Sequence, residues 1–425
     1  MSSVRKHGNT GQNNQIRYNI TIATILGDRK QVSNLKYIIA LADGCADLPA
    51  ICGMTPLGYA NTPCLARLSA RAVIGRTCLI PSGCVPGSQS ALLTLLGAPR
   101  SACSGGRAAI EAMACGIDLD GCTALRCNFV SLDGDRLVAH DGGGLTDEEA
   151  EQFIDALEDA LGDDTHRFVP GSGYRAFLLR RGLEHPGGCS PDGLLGCDLR
   201  TCQPEDNDLE RLYHAAREVL DVHPVNLERK AQGKLPANAV WFWGGGPTPV
   251  LPDFTTCTGL RGAATGGVPL VRGIARGMGL EWLNVPHADG TLHTNWEGKA
   301  FAAFDALTRQ GMDFVFVHTE APDEAGHAGS LPEKVASIEY FDRRLLTPLT
   351  GWLDESAVDY RLLVLPDHPT PISLRTHTAD PVPFLLYDSR TPAAGGIFDE
   401  MHTSNLPLTP GEEMLDVLLE RKRNP

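Results

Sequence analysis

Four short, continuously apolar runs, residues 37–42, 314–317, 362–365 and 383–387, constrain this chain more than any other feature. Runs this short cannot make buried helices, and without polar alternation they suit strands covered on both faces, as in a parallel sheet. Before the second and third runs lie helical patterns: 296–310, with Phe301, Phe304 and Leu307 on one face, and 333–353, with Val335, Ile338, Phe341 and Leu345. Strand and helix in alternation predict an α/β fold with a mostly parallel sheet flanked by helices. Ligands of such sheets gather beyond the carboxyl ends of the strands. Polar residues stand at those ends: Asp43 after the first run, the segment 318–327 after the second and Asp367 after the third.

A chain of 425 residues with 42% hydrophobic content is long enough for two domains. The middle reads differently from the flanks, with charged helices at 148–161 and 209–222 and Gly-, Pro- and Cys-rich connections around 186–204. An apolar run at 239–243 then meets the breaker GGGPTP. Residues 119–254 are therefore expected to form an inserted second, α+β domain. Residues 35–118 and 255–395 would build the catalytic domain, with 1–34 a flexible extension and 396–425 a C-terminal tail or helix. A net charge of −15 and a pI near 5.3 argue against a nucleic-acid or anionic-membrane surface. Thirteen scattered cysteines with no Cys-x-x-Cys pair read as reduced thiols. With neither a membrane-length apolar segment nor a signal-peptide block, the expectation is a cytoplasmic protein.

The candidate chemistry is spread over four segments. Ser88 in PGSQSALLTLLG leads into an apolar helix, whose free N–H groups and dipole favour an alkoxide or a phosphate. Asp323 and His327 stand four apart, one helical face if the segment is helical. Asp367 and His368 are adjacent at a strand end and point different ways. Asp43 and His377 complete the set. Each alone has an ordinary reading as turn aspartate, helix-capping serine or loop histidine; their weight comes from their number. Three aspartates, three histidines and a serine supply three to four ligands for each of two divalent ions, with positions left for phosphate oxygens. Mixed carboxylate and imidazole donors suit Mn²⁺ or Zn²⁺ better than Ca²⁺, and accommodate Mg²⁺. Two cations beside a serine point to phosphoryl transfer. Arg107, Arg126, Arg175 and Arg229 are candidates for gripping a carboxylate or phosphate, because guanidinium groups bind planar anions bidentately.

Stretches such as LADGCADLP, PGSQSALLTLLG, IEAMACGIDL, LHTNWEGKA, HTEAPDEAGH, KVASIEYFD and LPDHPTPISLRTHTADPVPFLLY, in this order, carry a resemblance. The chain resembles the archaeal-type, cofactor-independent phosphoglycerate mutases of the alkaline phosphatase superfamily. The resemblance implies a phosphatase-like core holding two ions, an inserted domain that grips the substrate, and no 2,3-bisphosphoglycerate. It implies that Asp323, His327 and His377 hold one ion, and that Asp43, Ser88, Asp367 and His368 hold the other. Ser88 would be the residue phosphorylated, and Lys299 in NWEGK would stand near the transferring phosphate. The implied reaction interconverts 3-phosphoglycerate and 2-phosphoglycerate.

The departures fall where substrate would be read. Gln89 replaces the acidic residue that usually follows the nucleophile, and GAPRSACSGGR replaces a Gly-Tyr-Asp-Pro run. SPDG at 190–193 lacks the histidine of a Pro-His-Asp motif, and HADG at 287–290 replaces a Gly-Ala-Thr-Gly turn. A phosphotransferase, phosphomutase or phosphohydrolase acting on another small phosphorylated or phosphonate acid is the alternative, and a non-catalytic binding protein a third.

Overall fold

The computed structural model describes residues 35–182, 188–202 and 206–421. The expected extension at 1–34 lies outside them, as do the last four residues of the expected tail. Thirteen strands are present among the described residues. They are β1 (Lys36–Ala42), β2 (Val73–Cys78), β3 (Thr123–Asp133), β4 (Arg136–Ala139), β5 (His166–Ser172), β6 (Arg175–Arg180), β7 (Ala239–Trp243), β8 (Gly262–Thr265), β9 (Glu281–Trp282), β10 (Phe314–Thr319), β11 (Tyr360–Leu365), β12 (Val382–Asp388) and β13 (Leu408–Pro410). They form an eight-stranded sheet in the order β13-β2-β12-β11-β1-β10-β8-β9 and a five-stranded sheet in the order β4-β3-β6-β5, with β7 also paired to β3.

The large sheet is mostly parallel, as its apolar runs predict. Ile38, Ala40 and Ala42 of β1 pack into one hydrophobic layer with Val315, Val317, Leu362 and Val364. Ile39 and Leu41 face the other layer with Phe314, Phe316, Leu363 and Leu365. Both faces are dry, so the central positions of these strands are apolar, and polar residues such as Lys36, His318, Thr319 and Arg361 fall at their ends. The fourth run differs from expectation in direction: β12 pairs antiparallel with both β11 and β2. A strand covered on both faces carries the same apolar pattern whichever way it runs.

Register sets the site. Ala42 lies opposite Thr319 across β1 and β10, and Leu41 opposite Leu365 across β1 and β11. Asp43, the segment 318–320 and the segment after 365 therefore leave the sheet at one edge, pinned by Asp43 N–H to Thr319 O at 2.9 Å.

The helical pattern at 333–353 is interrupted. An α-helix, Leu331–Tyr340, passes through a π-helical turn, Phe341–Leu346, into a second α-helix, Thr347–Glu355. Pro348 lacks the N–H a continuous helix would need, and the wider turn absorbs the defect. The turn also places the Asp342 carboxylate against Cys64 N–H at 3.1 Å and Leu65 N–H at 2.7 Å, at the start of the helix Pro63–Ser69. All thirteen cysteines are free. No helix among the described residues is long and apolar enough to cross a membrane.

Candidate active site

Ser88 is the first residue of the helix Ser88–Leu95, with Gly87 at the capping position, so the serine is not itself the cap. A side chain at Gly87 would put its Cβ 3.3 Å from His377 Nδ1. The Ser88 hydroxyl reaches Asp43 Oδ2 at 3.1 Å, Asp43 Oδ1 at 3.3 Å and His368 Nε2 at 3.2 Å. Ser88 thus joins the ends of β1 and β11 to a helix N-terminus.

The aspartates and histidines converge beside it. His327 Nε2 is 3.2 Å from Asp323 Oδ2, and His377 Nε2 is 3.5 Å from Asp323 Oδ1. The helix Ala321–Ala328 does bring Asp323 and His327 to one face. His368 Nε2 lies 3.3 Å from Asp367 Oδ2 and 3.6 Å from Asp43 Oδ1. One donor atom each from Asp323, His327 and His377 falls within 4.8 Å of the others, and so do those of Asp43, Asp323 and His368.

This constellation fits divalent cations. His327 and His377 turn their Nδ1 atoms to carbonyls, Arg375 O at 3.0 Å and Pro86 O at 3.3 Å, and leave their Nε2 atoms 2.9 Å apart. Nδ1–H bonds to carbonyls are the usual way a protein aims imidazole lone pairs at a metal. Asp367 Oδ1 accepts Gly44 N–H at 3.0 Å and His368 N–H at 2.9 Å, while its buried Oδ2 accepts no hydrogen bond. Burial, with repulsion from Asp367, Asp323 and Glu320, pushes Asp43 well above the usual carboxylate range. Buried carboxylates this crowded need cations to remain charged. Burial also raises Asp323, but hydrogen bonds from His327 and His377 override it and hold that carboxyl low, while Asp323 draws His327 up to about 9.

Lys299 lies on the helix Trp296–Thr308 and is fully buried, with Nζ 3.4 Å from Asp289 O in the HADG segment. Burial lowers it to about 8. The four arginines separate. Arg107 is 55% exposed and lines a cleft of ≈720 Å³ together with Ser88, Gln89, Asp323, His327 and His377. Arg126 is paired with Glu111 and stacked 4.1 Å over Trp243. Arg175 sits over Tyr174 and lines a different hollow, with Asp147 and Glu151. Arg229, 3% exposed, bonds Glu149 at 2.6 Å and the carbonyls of Leu235, Gly142 and Gly143. Its donors are occupied by its own fold, away from the cleft. The structure likewise brings neither Arg126 nor Arg175 into the cleft.

Sequence reasoning missed His318 and Glu320. His318 is fully buried at the end of β10, with Nε2 3.1 Å from Asp43 Oδ2 and Nδ1 3.7 Å from Glu320 Oε2. Burial lowers His318 to about 4 and raises Glu320 to about 8, the latter aided by Asp323, Glu324 and Asp367. Their only sequence signal is alternation past the end of an apolar strand, too common to single them out.

The Metalloenzyme superfamily profile matches residues 35–407. A 2,3-bisphosphoglycerate-independent phosphoglycerate mutase of Methanosarcina acetivorans is 38% identical over 398 residues, 91% of this chain and 100% of that protein. A probable enzyme of the same name from Geobacter sulfurreducens is 37% identical over 406 residues, again 91% of this chain and 100% of the relative. Among solved structures, a Pyrococcus horikoshii protein superposes with a TM-score of 0.75 at 26% identity, covering 92% of this chain and 98% of that one. The cofactor-independent phosphoglycerate mutase of Thermoplasma acidophilum gives 0.63 at 25% identity, covering 91% and 99%. The chain belongs to the Metalloenzyme superfamily and, within it, to the 2,3-bisphosphoglycerate-independent phosphoglycerate mutases.

Proposed function

We propose that this chain interconverts 3-phosphoglycerate and 2-phosphoglycerate through a phosphoserine at Ser88. The observation that carries the reading is the Ser88 hydroxyl, at a helix N-terminus, on the wall of a cleft, within 3.3 Å of Asp43 and His368. In this reading Ser88 Oγ forms the new bond to phosphorus as the bond to the glycerate oxygen breaks. The freed hydroxyl takes a proton, and the neighbouring hydroxyl of the retained glycerate then takes the phosphoryl group back from Ser88. Asp43 Oδ2, 3.1 Å from Ser88 Oγ, is placed to take the serine proton as the bond to phosphorus forms. Lys299 adds positive charge near the phosphoryl oxygens, and Arg107 meets the carboxylate from the cleft wall.

Asp323, His327 and His377 would hold one divalent ion, and Asp43, Ser88, Asp367 and His368 the other. Such ions neutralise phosphoryl charge and lower the pKa of a coordinated hydroxyl. The donor set favours Mn²⁺ or Zn²⁺, with Mg²⁺ also accommodated. The span 119–254, which carries the five-stranded sheet, acts as the substrate-gripping domain; Gly244 and Gly245 at its end line the same cleft. Transfer to a second hydroxyl rather than to water needs a closed site, so this domain shuts on the bound glycerate.

A second reading, a related phosphotransferase or phosphohydrolase on another small acid, is favoured by one contact. Gln89 Nε2 donates to Gly105 O at 2.7 Å, so a neutral amide stands beside the nucleophile. Peptide mass spectrometry after brief incubation of Mn²⁺-loaded protein with 3-phosphoglycerate tests the first reading. Phosphate on Ser88 is expected. An unmodified Ser88 during turnover would remove the phosphoserine route.

A further inference from the structure

The segment DHPTP contains a fully buried threonine that the chemistry above leaves unused. Thr370 Oγ1 bonds Asp323 Oδ1 on one side and lies 3.2 Å from His368 Nδ1 on the other. Asp323 belongs to the first proposed ion site and His368 to the second, so this hydroxyl bridges the two ligand sets. We propose that Thr370 is a positioning residue that holds His368 with its proton on Nδ1 and its Nε2 lone pair free for an ion, and couples that histidine to Asp323.

The direction of the hydrogens follows from donor and acceptor capacity. A carboxylate oxygen accepts only, so the hydrogen between Thr370 Oγ1 and Asp323 Oδ1 belongs to the threonine. With its single O–H committed there, Thr370 can only accept from His368, and His368 Nδ1 must carry the proton. Its Nε2 is then a bare lone pair, facing Ser88 Oγ at 3.2 Å, Asp367 Oδ2 at 3.3 Å and Asp43 Oδ1 at 3.6 Å. A neutral imidazole with a free Nε2 is the form a metal takes, and an orienting partner on the far nitrogen fixes it.

The placement of Thr370 is itself over-determined. Its N–H donates to Ala46 O at 3.1 Å, and its carbonyl accepts Lys334 Nζ at 2.7 Å. Lys334, fully buried, also pairs with Asp47 Oδ2 at 2.7 Å, and Asp47 Oδ2 takes Ile372 N–H at 3.1 Å. Two glycines leave the necessary room. A Cβ on Gly44, whose φ is +57°, would fall 2.6 Å from Thr370 Oγ1, and one on Gly326 would fall 2.4 Å from Thr370 O. Loops after β1 and β11 are thereby locked together around one hydroxyl. A methyl group would fill that space equally well, so packing does not explain the hydroxyl.

The inference rests on the two-ion reading only for its functional consequence, and one of its tests does not depend on ions. On metal-free, ¹⁵N-labelled protein at pH 8.5, two-bond imidazole ¹⁵N NMR reads the His368 tautomer directly. The Nδ1–H form is expected, and the Nε2–H form would overturn the proposal whatever the enzyme's substrate. Calorimetric titration with MnCl₂ then compares Thr370→Val, which keeps the shape, with Thr370→Ser, which keeps the hydroxyl. Loss of an outer hydrogen bond to a ligand typically weakens binding about 10- to 100-fold. That loss is expected for Thr370→Val, with Thr370→Ser within about threefold of the parent. Unchanged Mn²⁺ affinity in a folded Thr370→Val variant, or equal losses in both variants, would overturn it. If Thr370→Val does not fold, the parent tautomer and the Thr370→Ser affinity still decide.

Discussion

The edge of the large sheet that carries the proposed ion ligands and the wall of the cleft above it are built on opposite principles. At the edge, Asp43, Asp323, Asp367 and His368 are held at the ends of strands or on the helix that follows, buried, and fixed by register and by N–H bonds such as those onto Asp367 Oδ1. On the wall, Arg107 is half exposed and leans on Glu111, and Gln89 ties itself to a loop carbonyl. On the proposed reading, the groups that handle the phosphoryl charge are fixed before substrate arrives, as electrostatic preorganisation requires. The wall groups Arg107 and Gln89 stand in the first turns of the helices Arg107–Ala114 and Ser88–Leu95, off the sheet, where substitution leaves the strands intact. That contrast explains how the wall segments depart from the family pattern while the proposed ligands do not.

The contrast is broken most severely at the nucleophile. Ser88→Ala is expected to lower kcat by on the order of 10⁴-fold or more, as loss of a covalent nucleophile does. Calorimetry should still show two Mn²⁺ ions bound to that variant, because the remaining ligands stay in place; retained turnover would detach the edge from the chemistry. Next come two arginines that a sequence cannot tell apart. Arg107→Ala should raise KM about 10- to 100-fold, the loss of one charged hydrogen bond, with kcat changed far less. Arg229→Ala should leave KM alone and lower stability to urea by about 3 kcal/mol, since it strands a buried network. An Arg229→Ala enzyme of normal stability and raised KM would reverse the assignment.

Two smaller effects sharpen the comparison. Burial holds Lys299 at about 8, below the usual lysine value, so the ammonium loses its proton as pH rises through that range. The prediction is that kcat falls about tenfold per unit above pH 8 and that Lys299→Arg moves this limb beyond reach; a flat profile to pH 10 would separate Lys299 from the phosphoryl group. Gln89→Glu turns the donor that meets Gly105 O into a carboxylate facing a carbonyl. A loss of roughly threefold to tenfold in kcat/KM is expected, in line with one lost neutral hydrogen bond.

How much was legible before the structure follows the same division. The apolar runs of β1, β10 and β11 could be read because two-sided burial leaves no polar alternation, and the proposed ligands Asp43 and Asp367 could be picked out because they follow those runs. The direction of β12 could not, since its burial pattern is the same either way. The π-helical turn at Phe341–Leu346 was signalled only by Pro348, which a helix tolerates near its start. Thr370, His318 and Lys334 escaped notice because a buried polar residue is recognised by its partners, and each of these has one far away in sequence: Asp323, Asp43 and Asp47. Arg229 resembled Arg107 in sequence and differs in structure by 3% against 55% exposure of the side chain.

The most direct test of the whole account follows the product. Purified, Mn²⁺-loaded protein is incubated with 3-phosphoglycerate and the mixture followed by phosphorus NMR, with Ser88→Ala alongside. The account predicts the 2-phosphoglycerate signal growing to equilibrium at rates above roughly 1 s⁻¹, the ordinary enzyme range, and none from the serine variant. No conversion by folded, metal-loaded protein, or release of inorganic phosphate alone, would contradict it.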